Sequence, residues 1–236
     1  MYRREPHVDI GDEMMNVNKK RFFVGLGLLG AFIIWTILLL FLDVQEIGPQ
    51  QSKVGLATIN GFIHRLTGVH MSLYVVTDWL GLVPVAVGFG FAILGLAQWI
   101  KRRRLLKVDP NILLLGGFYI IVMTAYIFFE MVVINYRPVL INGYLEASYP
   151  SSTTMLVLCV MTTAIMQVNM GVTNKIARSC LVYTIILFMG FMVVGRLISG
   201  VHWISDIIGG GLFSAGVICL YASFLKPKNP SAETTK

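Results

Sequence analysis

The stretch GRLISGVHWISD, residues 195–206, places an arginine, a histidine and an aspartate between two strongly apolar runs. His202 and Asp206 are four residues apart, a spacing that predicts a shared helical face, with the carboxylate on one imidazole nitrogen and the other nitrogen free. Such a carboxylate fixes the tautomer and raises the basicity of the ring, as a nucleophilic or basic histidine requires. Arg196 and a second arginine, Arg137, suit a tetrahedral oxyanion, because guanidinium forks bind phosphate bidentately and stay charged at any relevant pH. YPSSTT (149–154) predicts a helix start with Pro150 at the first helical position. The free N–H groups there, with the hydroxyls of Ser151 and Ser152, would make an anion site.

These residues meet only if long elements carry them to one depth. Of 236 residues, 56% are hydrophobic and 13% charged, and the mean hydropathy is +0.74, the composition of a membrane protein. Apolar runs long enough to cross a bilayer, about 20 residues each, occupy 22–42, 79–100, 111–134, 150–171, 178–196 and 203–225. The expected fold is all-α: an integral membrane six-helix bundle over 22–225, after a polar segment at 1–21 and before a tail at 226–236. Basic residues cluster at 19–21, 101–107, 175–178 and 226–228, all on one side of six spans. The positive-inside rule makes that side cytoplasmic, with both termini inside and three loops outside. Arg137, Ser151, Ser152, Arg196, His202 and Asp206 then share the outer face, where ionisable groups mark a functional site by default.

On this reading the net charge of +7 is a topology signal and argues against a nucleic-acid partner. The first apolar run follows a stretch too long and acidic for a signal peptide and is expected to stay as an anchor. The longest outer segment, 43–78, has the intermittent apolar pattern of a helix lying at the interface, a possible lid or lipid entry surface. Cys159, Cys180 and Cys219 lie in or against apolar runs without CxxC spacing, which argues for packing and against a disulfide or metal site.

The 195–206 stretch resembles the third motif of the type 2 phosphatidic acid phosphatase superfamily, Ser-Arg-x5-His-x3-Asp, with matches at Arg196, His202 and Asp206. The family's first motif, Lys-x6-Arg-Pro, is similar to EMVVINYRP, where Arg137 and Pro138 match, and its second, Pro-Ser-Gly-His, to PSST at 150–153. Motif order, spacing and six-span topology extend the resemblance over about 79–225. It implies that His202 attacks phosphorus to give a phosphohistidine, that Asp206 orients it, and that Arg137, Arg196, Ser151 and Ser152 cradle the phosphoryl oxygens. It implies no cofactor and no metal, since fixed guanidinium groups neutralise the charge.

Three positions depart from the family pattern: Glu130 stands for its lysine, Thr153 for its second-motif histidine and Gly195 for its serine. That histidine is the family's general acid, and loss of such a group costs about 10²- to 10⁴-fold. A diphosphate suffers less, because its leaving group needs little protonation. Glu130 lies two helical turns, roughly 10 Å, before Arg137; it could pair with an arginine or, desolvated, donate a proton. His64 and His70 are further possible donors or structural groups. The expected function is removal of phosphate from a lipid phosphate or a polyprenyl diphosphate such as undecaprenyl diphosphate, at the outer face of a bacterial plasma membrane. A non-catalytic lipid-phosphate binding or carrier protein, and a head-group phosphotransferase, are the rivals.

Overall fold

A computed structural model describes residues 10–226. Eight α-helices follow one another: α1 (Ile10–Phe41), α2 (Ala57–Thr67), α3 (Met71–Leu80), α4 (Leu82–Arg102), α5 (Pro110–Met131), α6 (Ser152–Gly171), α7 (Lys175–Ile198) and α8 (Ile204–Phe224). They provide six apolar stretches of 20 to 32 residues, each able to cross a bilayer. The chain is an all-α, multi-pass integral membrane protein. The expected polar segment at 1–21 is described only from Ile10, which already belongs to α1; the tail lies outside the described residues after Lys226.

Helix starts follow local chemistry. Asp109 caps α5 by accepting from the Asn111 N–H at 2.9 Å, with Pro110 opening the helix. Asn174 caps α7 by accepting from Ile176 and Ala177. Each satisfies N–H groups that a helix leaves without partners.

α6 and α8 are the most internally buried spans, and α1 packs along α8. Glycine permits that approach: a Cβ at Gly25 would lie 2.9 Å from the Gly216 carbonyl oxygen. In the core, Phe32 and Phe129 meet the ring of Tyr149 and each other, and Phe32 also meets Phe213.

The expected outer segment 43–78 is shorter and differently built. α2 packs on α8, whereas α3 runs on past Gly81 into α4 as one stretch of 32 residues. At 1.5 Å per residue that stretch is about 48 Å long, against roughly 30 Å of hydrocarbon. The excess lets the α3 end, with Tyr74 and Asp78, lie beside polar groups. An apolar run read by hydropathy from residue 79 misses this extension because Asp78, Thr77 and Ser72 dilute it.

Candidate functional site

Between α5 and α6 the chain forms a small hairpin. Ile141 and Tyr144 exchange backbone hydrogen bonds of 3.1 and 2.9 Å across Asn142-Gly143, both at positive φ, the Asn-Gly pattern of a tight two-residue turn. Lower in the hairpin the Arg137 N–H donates to the Glu146 carbonyl (3.0 Å) and the Ser148 N–H to the Asn135 carbonyl (2.9 Å). The Trp203 indole N–H holds it to the start of α8 through the Tyr136 carbonyl at 2.7 Å. Tyr149, buried among the phenylalanines and bonded to Thr36 Oγ1 at 2.7 Å, anchors its end. One hairpin thus presents Arg137, Glu146 and Ser148.

His202 sits in the turn before α8, which Gly200 makes possible. Its φ is +69°, and a Cβ there would collide with the Gly68 carbonyl oxygen. The His70 N–H donates to the Ser199 carbonyl (2.9 Å) and the His64 ring to the Gly200 carbonyl (3.1 Å), so both histidines brace this turn.

The polar groups form a connected chain. Arg137 Nη1 lies 3.4 Å from His202 Nε2, which must accept because a guanidinium only donates. Nδ1 therefore carries the ring proton and donates to Ser148 Oγ at 3.2 Å, and the Ser148 hydroxyl donates to Asp206 Oδ2. Asp206 also accepts from the Trp203 N–H at 2.8 Å. His202 is fully enclosed; burial, then the charges of Arg137 and Arg196, hold it well below its usual value of 6.5, so the ring is neutral.

Both guanidinium groups keep unspent donors. Arg137 Nε is 3.1 Å from Glu146 Oε2 yet out of line for a hydrogen bond. Arg196 is 2% exposed and stacks over the Tyr74 ring at 5.1 Å, with Nη1 at 3.6 Å from Asp78 and 3.5 Å from Thr77; its Nε has no partner. Buried N–H groups without acceptors are rare, and here both belong to arginines that line an open cavity.

That cavity is a cleft of about 1000 Å³ between α3, α4, α5, α6 and α7. Arg137, Arg196, Ser152, Thr153, Glu130 and Glu146 line its polar end. From there apolar side chains of α4 between Leu82 and Ala92 form a wall, about 15 Å along the helix. An anionic head with an apolar tail fits this shape.

The structure brings Arg137, His202 and Asp206 into one bonded chain, and Arg137, Arg196, Ser152, Thr153 and Glu130 into one cleft. Several expectations need correction. Pro150 is not the first helical residue: it precedes Ser151, which caps α6. Ser151 is absent from the cleft, because its hydroxyl accepts from Thr154 and its N–H donates to the Asp206 carbonyl. His202 and Asp206 do not share a helical face; His202 precedes α8, and Nδ1 is 3.7 Å from Oδ2 with Ser148 bridging. Glu130 pairs with neither arginine; Glu146 and Asp78 hold those places. Sequence reasoning missed Ser148, Tyr74 and Asp78, for no motif contains them.

Gly195 has a packing explanation. A Cβ there would lie 2.9 Å from the Thr77 methyl, so glycine lets α7 close on α3 and brings Arg196 beside Tyr74 and Asp78.

No protein-family model and no curated protein matches the sequence. Among solved structures, the chain is similar to the crystal structure of the first transmembrane PAP2 type phosphatidylglycerolphosphate phosphatase from Bacillus subtilis, with a TM-score of 0.50 and 16% identity over 84% of this chain and 93% of that one. The fold is therefore that of a transmembrane PAP2 type phosphatase. The likeness is one of helical arrangement and carries no assignment for single residues.

Proposed function

We propose that this protein is a membrane phosphohydrolase that removes phosphate from a lipid phosphate or polyprenyl diphosphate through a phosphohistidine at His202. The observation that carries the reading is the chain Arg137–His202–Ser148–Asp206 beside a cleft that holds two arginines at its polar end and has an apolar wall. The shared fold supports it.

Phosphoryl oxygens entering the cleft meet the unspent donors of Arg137 and Arg196 and the hydroxyl and N–H of Ser152, at the first turn of α6. Arg137 then exchanges Nε2 for an oxyanion, which releases the Nε2 lone pair. That lone pair attacks phosphorus as the bond to the lipid oxygen breaks and the electron pair leaves on that oxygen. The Nδ1 proton stays in place, and Asp206 compensates the cationic ring through Ser148. Water attacks the phosphohistidine, the P–N bond breaks, its electrons return to Nε2, and phosphate departs. A phosphate leaving group accepts the lipid-side electron pair without protonation, so the absence of a histidine at Thr153 favours a diphosphate.

The topology completes the proposal: a six-span domain over 22–225 with both termini cytoplasmic and the site outward in a bacterial plasma membrane, from the basic clusters at the opposite helix ends. A binding or carrier role is the second reading, favoured by one observation: His202 is 2% exposed and does not line the cleft.

The test is phosphate release by the purified protein with EDTA, on phosphatidic acid, phosphatidylglycerophosphate and undecaprenyl diphosphate, beside His202→Gln. Release by the parent alone supports hydrolysis; binding of a substrate by both proteins with no release supports the carrier.

A further inference from the structure

The polar end of the cleft carries more negative than positive charge. Two guanidinium groups, Arg137 and Arg196, face three carboxylates, Asp78, Glu130 and Glu146, with no lysine or histidine in the lining. Asp78 and Glu146 each lie beside one of the arginines. Glu130 has neither an ion pair nor a hydrogen bond among the described residues, although it lines the same cleft. A bare phosphate, bringing up to two negative charges, would raise an unfavourable excess to about minus three. Yet Arg137 and Arg196 both line this cleft, and the buried Nε of each lacks a hydrogen-bond acceptor, so these guanidinium groups call for an anion.

One ligand chemistry satisfies both facts. We propose that the cleft takes a lipid phosphate whose head group also bears a protonated amine, with the phosphate on Arg137 and Arg196 and the ammonium on Glu130. The inference rests on the lipid-phosphate reading above and names the substrate class of that site.

The walls agree with this placement. Tyr126 and Glu130 are one turn apart on α5, and both line the cleft. An ammonium between them gains a carboxylate and an aromatic face, two groups that attract cations. The same helix contributes Tyr119, Val122 and Met123 to the cleft, so the amine seat continues into the apolar wall where a chain would lie. Glu130 occupies the position at which the family motif has lysine, and the charge reversal converts a second anion contact into a cation contact.

A matched pair of probes tests this: 2-aminooctadecyl phosphate, whose amine is protonated at neutral pH, and its N-acetyl derivative, which differs by that charge. Dissociation constants are measured on the purified full-length protein in detergent at fixed ionic strength, using His202→Gln so that no turnover occurs. An exposed ion pair is worth up to about 1 kcal/mol, or about fivefold in affinity. The free-amine probe should bind about fivefold tighter than the acetylated one. Adding Glu130→Gln should weaken the amine probe and strengthen the acetylated one, bringing the two together, and Glu130→Lys should reverse their order. Equal affinities at the outset, a preference that survives Glu130→Gln, or binding of neither probe would each overturn the proposal.

Phosphate release by the otherwise unaltered protein separates the two readings. An amine preference that depends on Glu130, with no release from either probe or from undecaprenyl diphosphate, removes hydrolysis and keeps the head-group assignment. Equal release and equal affinity keep hydrolysis and remove the assignment.

Discussion

The Ser148 hydroxyl stands between His202 and Asp206: its oxygen is 3.2 Å from His202 Nδ1, and it donates to Asp206 Oδ2, whereas the ring and carboxylate are 3.7 Å apart. The aspartate thus orients the imidazole through a serine that the hairpin holds in place. Ser148→Ala should leave two buried polar groups short of a partner, at a cost of about 1–3 kcal/mol. Phosphate release should fall ten- to hundredfold, chiefly in kcat. Ser148→Thr keeps the hydroxyl and should recover most of it; a merely structural role would instead show in Tm, with kcat of the folded fraction unchanged.

His202 is held neutral well below pH 6.5 by burial and by the two arginines. The acid limb of the rate profile should therefore carry no inflection from His202 near 6.5. For stability the sign follows from proton counts. Below pH 6.5 the unfolded chain binds a proton that the folded ring refuses, so the contribution of His202 is full above 6.5 and is lost as pH falls towards the lowered value. The parent should lose Tm relative to His202→Gln between pH 6.5 and 5. A parallel pH dependence in the two proteins would refute the neutral ring.

Thr153 lines the cleft beside Ser152 in the first turn of α6. On the proposed mechanism, Thr153→His supplies a general acid for monoester substrates and should raise kcat on phosphatidic acid tenfold or more, with a smaller gain on undecaprenyl diphosphate. Equal gains on both would mean that leaving-group protonation is not what the site lacks.

Arg196 lines the cleft, stacks on Tyr74 and has a buried Nε without a partner. Lysine supplies a point charge without the planar fork. Arg196→Lys should weaken binding of phosphatidic acid to His202→Gln protein ten- to hundredfold, equivalent to about 1.5–3 kcal/mol. Unchanged affinity would remove Arg196 from the cradle.

Gly195→Ser, which introduces the family's residue, should lower stability by about 1–3 kcal/mol by driving a Cβ against the Thr77 methyl. Thr77→Ser removes that methyl and keeps the hydroxyl near Arg196. The double variant should recover Tm; additive losses would show that the clash is not the cause.

Hydropathy made the six spans legible because each must carry some 20 apolar residues whatever its neighbours are. The offset of Arg196, His202 and Asp206 was legible as well, since fixed spacing survives in the sequence. The error over the His202–Asp206 face has a clear origin: a spacing of four implies a shared face only inside a helix, and α8 begins two residues after His202. Ser151 was misplaced for a similar reason. Its type suits either a phosphate or a helix cap, and the start of α6 at Ser152 commits it to the cap.

By itself the sequence determined the helical class, the number of spans and the identity of the charged residues near their ends, because these follow from composition and short-range spacing. Only the tertiary structure decided that Ser148 bridges His202 and Asp206, that Glu146 and Asp78 rather than Glu130 accompany the arginines, and that Tyr74 lies under Arg196. Those pairings join residues 54 to 122 positions apart along the chain, apart from the hairpin pair Arg137 and Glu146. They depend on how the hairpin, α3 and α7 pack, and local propensity carries no record of which distant side chain will occupy a shared space.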